Sequence, residues 1–63
     1  MTIAKAKLYR TAILTVPVDD YDAGDFVAVK FVGRGAWGLN FRISAPDKSP
    51  VVVIDTDLRD FVL

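Results

Sequence analysis

Four aspartates crowd into seven residues as Asp19, Asp20, Asp22 and Asp25, and hard cations such as calcium want several carboxylate oxygens converging from one loop. The spacing does not fit an EF-hand. A loop of that type starting at Asp20 needs glycine at position 25, which is Asp, and an acid at position 31, which is Phe. A solvated acidic loop is the expectation, with no metal and no cofactor. Gly33-Arg34-Gly35-Ala36-Trp37-Gly38 matches the G-x-G-x-x-G letters of a dinucleotide-binding turn. That motif must lead from a strand into a helix whose N-terminus holds a pyrophosphate, and here the residues that follow alternate with period 2. The string reads as a hairpin. Catalysis would have to do without His, Cys or Glu, which removes the common general bases, the thiolate nucleophile and most metal ligands. The chain is expected not to be an enzyme.

Cations and exposed apolar residues offer binding instead. Lys5 and Lys7 make the start basic, and Arg34, Asn40 and Arg42 lie on or beside the central hairpin. A β-surface that mixes arginine with an aromatic can hold single-stranded nucleic acid, so these five are the candidate nucleic-acid residues. Against that reading, eight Lys and Arg balance eight acids, and no net field draws the chain to nucleic acid or to a membrane. Asp20, Tyr21 and Asp22 in the acidic loop, with Phe26, Lys30 and Val32 on the second strand, are the candidate protein-binding residues. Phe26, Ala28 and Val32 would form an apolar outer face that needs cover from a partner, from a second copy or from the chain itself.

The elements that position these residues follow from periodicity and turn chemistry. With 63 residues there is room for one domain, residues 1–63, near the lower size limit for a single core. No Cys is present to staple it, and 52% of the residues are apolar. All eight acids are Asp, which favours turns, and none is Glu, which favours helices. Residues 3–16 read as a long strand burying Ala4, Ala6, Leu8, Arg10, Ala12, Leu14 and Val16. A helix is the competitor at its start, because Thr2 can cap it and Ala and Lys are good helix formers. Residues 17–24 form an acidic excursion over which Val18 and Tyr21 fold back. A second strand over 26–32 points Val27, Val29 and Phe31 to one face. A turn follows at 33–36, and a third strand over 37–44 buries Trp37, Leu39, Phe41 and Ile43. A proline-fenced loop at 45–50 precedes a short strand at 51–54, too uniformly apolar to be solvated on one side. A tight or 3₁₀ turn within 55–60 then leads into a last strand at 61–63.

A long first strand, an acidic excursion ending in Gly24-Asp25-Phe26-Val27, a central hairpin, and a one-turn helix at Asp57-Leu58-Arg59-Asp60 before the last strand together resemble the SH3-like small barrels. The resemblance is architectural and spans most of the chain. It implies an all-β, five-stranded barrel with a single 3₁₀ turn before the last strand; an OB-like barrel is the alternative. The aromatic-rich groove of true SH3 domains is missing, so polyproline binding is not carried over. The functional expectation is a non-enzymatic protein-binding module, of the free-standing kind found among phage and mobile-element accessory proteins, acting on a protein partner or on itself as a homodimer. Nucleic-acid binding is the second reading. No apolar run approaches the roughly 18 residues of a membrane span, and Lys5, Lys7 and Arg10 interrupt the apolar residues at the start, so neither a span nor a secretory signal is expected, and a cytoplasmic location is the expectation.

Overall fold

The structure, a computed structural model, describes every residue from Met1 to Leu63. Its element order is α1 (Ile3–Ala6), β1 (Thr11–Leu14), β2 (Phe26–Gly35), β3 (Gly38–Ala45), β4 (Lys48–Ile54), a 3₁₀ turn (Asp55–Asp57) and β5 (Leu58–Val62). The five strands pair antiparallel in one sheet of order β4-β3-β2-β1-β5, so the all-β reading holds.

The first ten residues differ from the expected strand. The Lys5 N–H donates to Thr2 Oγ1 at 3.2 Å, and the following Ala and Lys residues wind a short helix. Ala6 satisfies both periodicities: it is fully buried in the helix, as it would have been in a strand. Leu8 and Val16 do not, and both are exposed, at 60% and 39%. The strand that remains is four residues long and buries Ala12 and Leu14.

The central hairpin is longer and tighter than its glycines suggest. β2 runs on through Gly35, and the turn is Ala36-Trp37 between the paired Gly35 and Gly38. Gly38 has φ +142°, and a Cβ there would fall 2.6 Å from Asp55 Oδ1, so both backbone and space require glycine. Trp37 therefore belongs to the turn and not to the pleat, and it is 84% exposed where the sequence pattern put it in the core. Leu39, Phe41 and Ile43 are buried as expected.

A two-residue turn, Pro46-Asp47, replaces the predicted loop, and β4 begins at Lys48. Pro50 is tolerated because β4 is an edge strand and the β3–β4 register slips between Ala45↔Lys48 and Ile43↔Val51. Val52 is exposed and Val53 buried, so this strand alternates like the others and its apolar run is solvated on one side. The 3₁₀ turn falls within the predicted 55–60, at Asp55–Asp57 and not at Asp57–Asp60, with the Ile54 N–H donating to Asp57 Oδ2 at 3.4 Å, and β5 starts at Leu58, three residues before the expected last strand.

The core is an all-apolar cluster on one face of the sheet, led by Phe41, Ile43, Leu14, Val27 and Tyr21. Phe41 stacks edge-on to Phe31 (centroids 5.8 Å apart) and against Phe61 (5.3 Å). No helix of the chain is long and apolar enough to cross a membrane.

Candidate binding surface

The acidic excursion is closed at its base, where the Gly24 N–H donates to the Leu14 carbonyl at 2.7 Å and the Leu14 N–H to the Asp25 carbonyl at 2.9 Å. Val18 and Tyr21 exchange both backbone hydrogen bonds, at 3.0 and 2.8 Å, around Asp19 with φ +47°, a conformation that Asp adopts more readily than most residues. Tyr21 is buried to 1% exposure, and its hydroxyl donates to the Ser49 carbonyl at 2.8 Å. Of the candidate contact residues in the loop, Tyr21 thus serves the core and is closed to a partner, while Asp20 and Asp22 are exposed.

Asp25 is committed too. Its carboxylate accepts from the Asp22 N–H at 2.9 Å and pairs with Lys48 Nζ at 3.2 Å. The backbone hydrogen bond first, and Lys48 second, hold the Asp25 carboxyl below its usual range. Asp25 in turn raises the Lys48 ammonium above its usual range. The sign follows from linkage: a carboxyl with a lowered folded pKa stabilises the fold above the unfolded value, and that contribution is lost as pH falls through the folded one. For Lys48 the contribution is present below the unfolded value and lost as pH rises through the folded one. The thermal midpoint of Asp25→Asn should therefore lie below that of the wild type at neutral pH, and the gap should close below about pH 4. Circular dichroism melts from acid to neutral pH check this. A gap that stays constant would mean the Asp25 contacts contribute nothing through ionisation.

Phe26, Lys30 and Val32 come together on the outer face of the sheet. Across the strands Thr11 pairs with Ala28 and Ala28 with Ser44; Lys30 pairs with Arg42 and Arg42 with Val52. Phe26 is 68% exposed, Val52 56% and Val32 49%. Thr11, Phe26, Ala28, Ser44, Ala45 and Pro46 line an open groove of about 460 Å³. Val52 and the groove were missed by the sequence reading. The groove arises from the β1-β2-β3 register, which no local pattern encodes.

The candidate nucleic-acid residues are divided. Lys5 lies in α1 and Lys7 caps its end, both exposed. A β-bulge at Val32 shifts the register, so that Phe31 pairs with Phe41 but Gly33 with Asn40 and Arg34 with Leu39. Opposed residues share a face, so the bulge carries Arg34 to the Leu39 side and away from Lys30 and Arg42. Asn40 stays on the outer face beside Gly35, where an added Cβ would fall 2.8 Å from its amide. Comparison with known proteins finds no matching family model, no matching curated protein and no matching solved structure.

Proposed function

We propose that the protein is a non-enzymatic protein-binding module of SH3-like barrel architecture that engages its partner through the outer face of β2, β3 and β4. The architecture is supported by the order of elements: strand, acidic excursion, two hairpins, a 3₁₀ turn and a strand that pairs back on the first. The binding surface is supported by one observation above all. Phe26, Val32 and Val52 stand more than half or nearly half exposed on one sheet face, around Lys30 and Arg42 and beside a groove. Nucleic-acid binding is the second reading. Trp37, exposed at the hairpin tip, favours it as a stacking group, but Lys5 and Lys7 belong to α1 and its cap, outside the sheet, and Arg34 lies on the Leu39 side, away from Arg42.

The test is a capture experiment with the double variant Phe26→Ser/Val52→Ser. Both positions are exposed, so its unfolding free energy should stay within about 1 kcal/mol of wild type. Wild type should retain a defined protein from a lysate of its source cells that the folded variant fails to retain. Equal capture by both proteins, or none by either, would remove this reading.

A further inference from the structure

We propose that the outer face of β2 and β3 receives an extended acidic segment of a partner protein, in which a large apolar side chain and a carboxylate stand two residues apart. The proposal rests on the reading of this face as the contact surface, and it starts from a pair that the fold does not need.

Lys30 and Arg42 sit directly opposite each other on adjacent strands, where Cβ atoms lie about 4.5–5.5 Å apart and like charges destabilise. Both are exposed. The molecule has two ion pairs, Lys48 with Asp25 and Arg59 with Asp60, and neither includes Lys30 or Arg42. The cationic pair is left with no counter-charge, and a carboxylate laid between the two would relieve the repulsion and gain charge-assisted hydrogen bonds.

One row along the same strands, Ala28 pairs with Ser44, and these two small residues floor the groove that Phe26 and Pro46 border. The step from that row to the Lys30–Arg42 row is two residues, about 7 Å at the rise of a strand. An extended chain presents residues i and i+2 on one side at the same spacing. A segment lying along the strands therefore seats an apolar side chain in the groove and a carboxylate over the cations, while the residue between them points away.

The other occupants fit less well. A second copy packed face to face would bring Lys30 and Arg42 against their own equivalents, a repulsion at the centre of the contact. Nucleic acid offers phosphates to the cations, but the remaining basic candidates lie elsewhere and the chain carries no net charge.

Selection of a displayed library of random 12-residue peptides against the full chain tests the proposal. The enriched peptides should carry Phe, Trp, Leu or Ile two positions from Asp or Glu. Lys30→Gln/Arg42→Gln, melting no lower than wild type because a like-charge pair is removed, should bind a synthetic copy of the best one about tenfold more weakly, and the wild-type affinity should fall with added salt. If the selected peptides need Phe26 and Val52 but carry no acid, or ignore the Lys30 and Arg42 changes, the acidic partner is wrong and the contact face stands. Peptides indifferent to Phe26→Ser/Val52→Ser, or no enrichment at all, would remove both. Two further results overturn the proposal: a thymidine oligonucleotide that quenches Trp37 emission at low salt and outcompetes the peptides, and a dimer in sedimentation that the Lys30 and Arg42 changes dissociate.

Discussion

Phe41→Ala is expected to cost about 3–5 kcal/mol and to leave little folded protein at room temperature. Phe41 is fully buried at the centre of β3, between Phe31 on β2 and Val53 on β4, and its ring meets those of Phe31 and Phe61. Phe61 also packs against Tyr9, with centroids 4.9 Å apart, so the aromatic cluster ties the segment before β1 and the last strand to the middle of the sheet. Domains of this size have roughly 0.05–0.15 kcal/mol of stability per residue, so the loss rivals the whole margin. Urea denaturation followed by circular dichroism reads it directly. Trp37→Ala removes a larger aromatic group, but one that stands exposed on the turn, and should fall within about 0.5 kcal/mol of wild type. Similar costs at the two positions would mean that Trp37 is packed and that the faces of β3 are misassigned.

That contrast marks where the sequence is readable and where it is not. In β3 the period of 2 is clean, because Leu39, Phe41 and Ile43 alternate with Gly38, Asn40, Arg42 and Ser44, and all three are buried. Trp37 sits in phase with Leu39 but beyond the end of the pleat, and alternation carries no information once the chain turns. In residues 3–10 the alanines and lysines fit a period of 2 and a period of 3.6 alike, and the Thr2 cap decides for helix. The bulge at Val32 leaves no mark on composition, yet it decides that Arg34 and Arg42 lie on opposite faces. Phe26, Lys30 and Val32 were legible as a surface because an apolar strand with one lysine on its outer side cannot bury both faces in a single sheet. Val52 was hidden in a uniform run of apolar residues, where pattern gives no phase.

Tyr21→Ala should be the second costly change, also about 3–5 kcal/mol, although it lies outside every strand of the sheet. Its ring is as buried as the central core, and two contacts reach it from the start of β4. The hydroxyl donates to the Ser49 carbonyl, Lys48 Nζ stands 5.2 Å from the ring centroid, and the same ammonium pairs with Asp25. Truncation would leave a cavity beneath the excursion and cut Tyr21's two ties to β4, leaving only the Asp25–Lys48 pair. Tyr21→Phe separates the two effects, because it keeps the ring and removes only the hydrogen bond, for about 0.5–1.5 kcal/mol. Hydrogen exchange gives the local readout: the Gly24 amide, bonded to the Leu14 carbonyl, should lose protection in Tyr21→Ala before the β3 amides do. If Tyr21→Ala melts like wild type, the excursion is held by its own turns and by its base alone, where Gly24 and Asp25 bond Leu14 and Asp25 pairs with Lys48. The acidic tip bearing Asp19, Asp20 and Asp22 would then be free to move independently of the sheet, whereas a costly substitution means that the tip and the Lys30–Arg42 face move as one rigid body.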